Sequence, residues 1–484
     1  MGCVSGGVYL PSEILKFILT KIILVKIMFV NRKDELALLE RLYQSREKEV
    51  LILYGRRRVG KTELVKRFIR DKPALYFLAD RDGLNANARR FYSESAEKLG
   101  LPAVEVNDFR KAFEMIKLKA PKRLVVVIDE FSYLLLTDKN TPAVFQHVID
   151  EILDDRFFLI LSGSLVGLME GVMSYNNPLY GRRTAQLRLK PLSFFHVAEY
   201  FSEKPLETVV KIYSVTGGVP MYFRLFRGED FEGELLSVAF SPTSILYEEP
   251  EFILREELRD VHRYYLILEA LANGNHRVSE VSQYAGVEAK DMPKYLRTLI
   301  SLDLVKREVP ITESERSRKA RYYLKDNFLA FWFRFVKPNR GRVEIGTFEM
   351  DWNAFNTYVG RAFEGIAKQF LVEMNKSGAL PFGFTKIGRW WKRGEEIDLV
   401  ALNEREKKAL FVEVKWKDLG TREARGILRD LERKGELVGL DGWKKWYALI
   451  AKEVNGKGTL EDEERMVWDL GDFGKLVKGQ RKAG

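Results

Sequence analysis

Apolar residues in the first third of the chain come in short unbroken runs rather than in alternation. Val50-Leu51-Ile52-Leu53, Leu124-Val125-Val126-Val127-Ile128 and Phe157-Phe158-Leu159-Ile160-Leu161 are the clearest. Runs of this length, rich in β-branched and aromatic residues, predict strands buried on both faces, as in a parallel sheet covered by helices. From His262 the pattern changes to short amphipathic helices: Tyr265 to Leu271, Val278 to Tyr284 and Ala289 to Leu302, with Ala285-Gly286-Val287 as the turn between the last two. Leu304-Val305 and Tyr322-Tyr323-Leu324 then bracket a polar hairpin carrying Arg316, Arg318, Lys319 and Arg321. That is the outline of a winged helix. Further on, Glu396 to Leu402 and Ala409 to Trp416 predict two strands joined by the polar turn Asn403 to Lys408.

The chemistry sits where the first runs end. Val50 to Leu53 leads into Gly55-Arg56-Arg57-Arg58-Val59-Gly60-Lys61-Thr62, and Leu64, Val65 and Phe68 then follow a helical period. Glycines in a G-x-x-x-x-G-K-[ST] loop let the backbone curl so that its N–H groups and the helix N-terminus face phosphates. Lys61 supplies a point charge, and Thr62 offers its hydroxyl to Mg²⁺. The second run ends in Asp129-Glu130: Asp129 to hold Mg²⁺, Glu130 to orient or deprotonate the attacking water. The third ends in Ser162-Gly163-Ser164, where a small polar residue would lie beside the γ-phosphate of bound ATP; the alternative is a helix cap. Arg182 and Arg183 are arginine-finger candidates toward their own or a neighbouring subunit, so a homo-oligomer enters as a partner; ordinary surface arginines are the alternative.

In the last third, a symmetric turn between Asn403 and Lys408 sets Asp398 opposite Glu413, and Lys415 shares the face of Glu413 by strand alternation. Two carboxylates so close repel unless a divalent cation such as Mg²⁺ or Mn²⁺ lies between them. Lys415 would then orient a metal-bound water and steady charge developing on phosphorus. Asp398 and Glu413 are therefore the metal ligands expected here.

Length and charge narrow the class. At 484 residues the chain should hold roughly three domains. Lys plus Arg number 80 against 69 Asp plus Glu, a net +11, so the surface should attract polyanions, with DNA the leading partner and a plain solvated basic face the alternative. One cysteine, Cys3, excludes an internal disulfide and a Cys-based zinc site and fits a reducing cytoplasm. The apolar stretch Ile14 to Val30 is broken by Lys16, Lys21 and Lys26 and is too short to span a bilayer. Met28 reads as a natural beginning, so residues 1–27 are expected to stem from an upstream start codon or to form a frayed extension. His147, His196, His262 and His276 show no metal-ligand spacing.

These motifs together resemble the archaeal ATPase family within the AAA+/STAND branch of P-loop NTPases. The resemblance rests on Phe29-Val30-Asn31-Arg32 with Glu35-Leu36, the loop 55–62, Ile128-Asp129-Glu130, Gly163-Ser164, Tyr180-Gly181-Arg182-Arg183-Thr184 and Thr216-Gly217-Gly218-Val219-Pro220. It implies an α/β core with a helical lid. The spacing of Asp398, Glu413 and Lys415 resembles the PD-(D/E)XK nuclease superfamily, in which Glu364 matches an extra acidic residue before the first core strand. The region from Tyr358 to Asp418, including Ile387-Gly388-Arg389-Trp390-Trp391, is also similar to the domain commonly joined to such ATPases. The alternatives are a hairpin with ordinary charges and a fold that binds nucleic acid without cutting; Trp390 and Trp391 would stack on bases or lie under the sheet.

The expected fold class is α/β: a P-loop NTPase parallel sheet with helical lid, a winged-helix domain and a small α/β nuclease-like domain. The expected division is 1–27 extension, 28–190 ATPase core, 191–247 lid, 248–345 winged helix and 346–484 nuclease-like domain. Lys290, Lys294 and Arg297 would line the groove-reading helix. Two functions compete: an ATP-hydrolysing protein acting on DNA, and a STAND-type nucleotide switch whose winged helix contacts protein.

Overall fold

The three apolar runs lie side by side in one parallel sheet. The computed structural model describes residues 31–45, 47–258 and 260–482; the expectation for residues 1–27 lies outside them. Strands β1 (Glu49–Tyr54), β2 (Ala74–Leu78), β3 (Leu124–Asp129), β4 (Phe157–Gly163) and β5 (Ala185–Arg188) follow the order β2-β3-β4-β1-β5, and every pair is parallel. Alternate side chains feed two cores. Val50, Ile52, Val126, Ile128, Leu159 and Leu161 face one helical layer, while Leu51, Leu53, Val125, Val127, Phe158 and Ile160 face the other. Burial on both sides explains why these strands are unbroken apolar runs.

Five helices follow: Phe194–Tyr200, Leu206–Thr216, Pro220–Phe223, Phe231–Ala239 and Ile245–Glu257. Helices Val261–Ala272, Val278–Ala285 and Met292–Ser301 come next, and then an antiparallel hairpin of β6 (Val305–Glu308) and β7 (Arg321–Leu324). Arg316, Arg318 and Lys319 are exposed on that hairpin, as are Lys290, Lys294 and Arg297 at or on the third helix. The hairpin is not free along its whole length. Ile311 is buried against Trp390, and its backbone N–H donates to the Arg389 carbonyl at 2.9 Å.

The second sheet has the order β12-β11-β10-β9-β8, from β8 (Lys386–Lys392), β9 (Glu395–Asn403), β10 (Lys408–Leu419), β11 (Lys444–Val454) and β12 (Arg465–Trp468). β8, β9 and β10 are antiparallel neighbours, whereas β10, β11 and β12 run parallel, with the helix Thr421–Leu437 as the crossover. Lys408 pairs with Asn403 and Val412 with Leu399, the register expected from the symmetric turn. Leu410, Val412 and Val414 join one core that also takes in Phe363 and Ile366 of the helix Trp352–Lys376, Phe194 and Phe195, and Leu268. One continuous apolar core thus ties the lid helices, the three-helix unit and the carboxy-terminal sheet together.

Candidate functional site

The loop between β1 and the helix Lys61–Ile69 is shaped by its glycines. Gly60 has φ of 97°, and a Cβ on Gly55 would stand 2.3 Å from the Leu189 carbonyl oxygen, so neither place admits a side chain without strain. Arg32 braces the loop from outside, donating to the Val59 carbonyl at 3.0 Å and the Lys190 carbonyl at 2.7 Å. Lys61 is buried and donates to the carbonyls of Gly55 at 2.7 Å and Arg56 at 3.0 Å. Burial pushes its ammonium down to about 8, against the pull of Glu130 and Asp129.

The ends of three adjacent strands meet this loop. Thr62 Oγ1 donates to Asp129 Oδ2 at 2.8 Å, and the Tyr76 hydroxyl from β2 donates to the same oxygen at 2.7 Å. Burial, with Asp129 second, raises the Tyr76 phenol, so it stays a donor. Glu130 is held in the left-handed region at φ 54°, and its Oε2 accepts from Ser164 Oγ at 2.7 Å and from Ser132 Oγ at 3.3 Å. Ser162 Oγ is buried without a hydrogen-bond partner among the described residues. The cluster therefore gathers Lys61, Thr62, Asp129, Glu130 and Ser164. Hard oxygen donors on Thr62 and Asp129, in mutual contact, fit a Mg²⁺ shell completed by water and phosphate.

Each loop arginine is already paired. Arg56 pairs with Asp326, Arg57 with Glu256 at 2.5 Å and with the Tyr133 hydroxyl, and Arg58 with Glu249 at 2.7 Å. Glu249 and Glu256 lie on the helix Ile245–Glu257, and Asp326 caps the short helix after β7. Glu257, on the same helix, is pushed up to about 7 by burial in spite of Arg56 and Arg57. Sequence reasoning missed these four acids and Tyr76, because nothing local marks a partner up to 270 residues away in the chain. Arg32 carried a signal only through its place in the Phe29-Val30-Asn31-Arg32 motif.

The arginine-finger candidates divide. Arg182 is tied to Asp150 at 2.8 Å and to the Pro178 carbonyl at 2.7 Å, which directs it away from the loop. Arg183 precedes β5 beside the start of β1, where the neighbouring Thr184 N–H donates to the Val50 carbonyl at 2.9 Å, the end of the strand opposite the loop, and it makes no salt bridge among the described residues.

In the second sheet, Asp398 falls at a bulge, because β9 carries one residue more than β8 between the pairs Gly388–Val400 and Trp390–Ile397. Asp398 Oδ2 accepts from the Val414 N–H at 2.9 Å and lies 3.9 Å from Lys415 Nζ. Lys415 donates to Glu413 Oε1 at 2.7 Å, and Lys434 lies 3.9 Å from the same oxygen. Glu413 Oε2 is buried and unpartnered among the described residues. Burial, and next the charge on Asp398, holds Glu413 above the usual carboxylate range. An orphaned carboxylate oxygen beside a second carboxylate fits a hydrated Mg²⁺, which needs only one or two protein carboxylates. No group of three or more His, Cys, Asp or Glu suited to a metal occurs among the described residues.

Glu364 does not join this set. It sits on the helix Trp352–Lys376, which packs the face of Leu410, Val412 and Val414, and its carboxylate pairs with Arg389. Glu413 and Lys415 alternate onto the opposite face, toward Thr421–Leu437. Trp390 and Trp391 are buried, with Arg321 over the Trp391 ring at 4.5 Å, so they hold the sheet and hairpin together.

Comparison with known proteins agrees with the first site. Residues 29–226 match a family described as an ATPase domain predominantly from Archaea, and residues 332–427 match one described as archaeal and bacterial proteins of unknown function. An uncharacterized protein of Methanocaldococcus jannaschii is 41% identical over 455 residues, 92% of this chain and 100% of the relative. An uncharacterized ATP-binding protein of the same organism is 56% identical over 46 residues, 10% of this chain and 78% of the relative. A Walker-type ATPase of Pyrococcus abyssi superposes with a TM-score of 0.51 at 21% identity, covering 64% of this chain and 97% of that one, a likeness of fold. No helix among the described residues is long and apolar enough to cross a membrane. With its full-length relative, its matched ATPase domain and the strand-end cluster at Lys61, Thr62, Asp129 and Glu130, the chain belongs to the archaeal family that carries this ATPase domain.

Proposed function

We propose that the chain binds and hydrolyses ATP with Mg²⁺ as a AAA+-like protein acting on DNA, and that its carboxy-terminal sheet carries a divalent-metal site for phosphodiester cleavage or DNA grip. The hydrogen-bonded set Thr62–Asp129 and Ser164–Glu130, at the mouth of the loop holding Lys61, carries the reading. Mg²⁺, bound at Thr62 and Asp129, would neutralise phosphate charge. Lys61 turns from the Gly55 and Arg56 carbonyls to the phosphates, the loop N–H groups fix their position, and Glu130 orients the water. Ser164 holds the Glu130 carboxylate ready. Arg183, not Arg182, is the finger candidate, across to a second copy, since both arginines stand at the end of β1 opposite their own loop.

DNA enters on charge: the net +11 and the exposed Lys294, Arg297, Arg316, Arg318 and Lys319. Asp398, Glu413 and Lys415 supply the donor set for cleavage, without Glu364. The cytoplasm and the division at residues 190, 247 and 345 belong to this reading. Plasmid nicking with Mg²⁺ or Mn²⁺ tests it: metal-dependent nicking lost in Asp398→Ala supports cleavage, and no nicking under any condition removes it.

A second reading, the nucleotide-dependent switch, is favoured by the ion pairs of Arg56, Arg57 and Arg58. They bind the phosphate loop to the helix Ile245–Glu257, which follows the lid, and to Asp326, so a shift of the loop on nucleotide binding would reach both.

A further inference from the structure

A cavity of about 530 Å³ opens where three parts of the chain meet, remote in sequence from the phosphate loop. Its walls come from Tyr213 and Gly217 of the lid, from the β6/β7 hairpin, and from the helix Trp352–Lys376 with β8 and β9. Four of its cations are matched: Lys306 by Glu308 at 2.6 Å, Arg321 by Glu396 at 2.9 Å, Lys325 by Asp303 at 2.5 Å, and Arg389 by Glu364. Three are not. Arg334, Arg361 and Lys368 line the same space and make no salt bridge or side-chain hydrogen bond among the described residues.

Arg334 and Arg361 repel each other, and Lys368 faces Lys306. Burial and then Arg361 hold Arg334 below its ordinary value, and burial and then Lys306 do the same to Lys368 against the pull of Glu308. His276, in the same wall, is pushed down to about 4 by burial and is neutral at pH 7. Arg334 and Lys368 are half-buried and Arg361 is exposed; half-buried positive charges without a salt-bridge partner cost stability, and a bound anion removes that cost.

The helix geometry leaves a seat for one. Arg361, Gly365 and Lys368 are spaced by four and three residues, so they share a helix face. Gly365, between the two cations, has nothing within 4 Å of where a Cβ would stand. Leu271, Ala272, Leu324 and Ala330 add an apolar wall, and the volume suits a small organic ligand, whose sites run about 300–1,000 Å³.

We propose that this cavity is a second anion site, for a multiply phosphorylated small molecule, with Arg334, Arg361 and Lys368 as its phosphate ligands. Bound there, the ligand bridges the lid, the β6/β7 hairpin and the carboxy-terminal sheet. The site is separate from the phosphate loop and stands whether or not the chain cuts DNA.

Calorimetry on the full chain bearing Lys61→Ala, which silences the loop, tests it with inorganic tripolyphosphate as the probe. Saturable binding at one site is expected, weakened on the order of tenfold by each of Arg361→Ala and Lys368→Ala. Gly365→Glu, which leaves every existing neighbour in place and sets a carboxylate between the two cations, should abolish it while the thermal transition is retained. No tripolyphosphate binding in the Lys61→Ala chain overturns the proposal, as does binding unmoved by Gly365→Glu. So does cavity-dependent binding of a single-stranded oligonucleotide but not of tripolyphosphate.

Discussion

Replacing Arg58 by Ala should reveal how firmly the phosphate loop is tied to the helix Ile245–Glu257. The Glu249 side chain is 3% exposed and keeps two partners, Arg58 at 2.7 Å and the Tyr222 hydroxyl at 3.1 Å. Removing one member of a dry ion pair costs about 3–5 kcal/mol, because the other charge stays buried. Arg58 is 25% exposed and Tyr222 remains, so Arg58→Ala should cost about 2 kcal/mol at pH 8. Burial already holds Glu249 above its ordinary 4.5, and losing Arg58 raises it further. A raised carboxyl binds its proton more tightly in the folded state, so stability is recovered as pH falls. The deficit measured by urea unfolding should therefore shrink between pH 8 and pH 5. Arg58→Ala with Glu249→Gln should be less destabilised than the sum of the two single variants, with a coupling of about 1–2 kcal/mol. Additive effects, or a deficit independent of pH, would refute the buried-pair argument.

Three further outcomes follow from the same geometry. Glu130→Gln should still hold ATP but turn it over about 100-fold more slowly, measured by phosphate release. Gly55→Ala must clear the Leu189 carbonyl by about 1 Å, and a misplacement of that size should cost about 100-fold in ATP turnover. Arg316→Ala, Arg318→Ala and Lys319→Ala combined should flatten the slope of log affinity for DNA against log salt by about 0.9 for each phosphate no longer neutralised.

The parts legible in the sequence are those fixed by neighbours in the chain. A buried strand, a glycine-bearing turn and a helix start within a few residues of one another, so the loop 55–62 could be placed from its own residues. The short turn between Asn403 and Lys408 fixed the β9/β10 register for the same reason. What could not be read depends on packing between distant elements. The pairing of Arg56 with Asp326 and of Arg182 with Asp150 needs the fold in three dimensions. Glu364 sits on a helix whose side of the sheet no local pattern specifies, and Trp390 and Ile311 meet only because the hairpin docks on β8. The three-domain expectation likewise followed from length, which is silent about the core that runs from Leu192 to Val477.

The central claim is that the loop 55–62, closed over Thr62 and Asp129, is an ATP site. Calorimetric titration of the full chain with ATP and Mg²⁺, beside Lys61→Ala at an equal thermal transition, tests it most directly. Saturable magnesium-dependent binding at the loop that disappears in Lys61→Ala is the predicted result. Absence of ATP binding to the unaltered chain, or binding that survives Lys61→Ala undiminished, would contradict it.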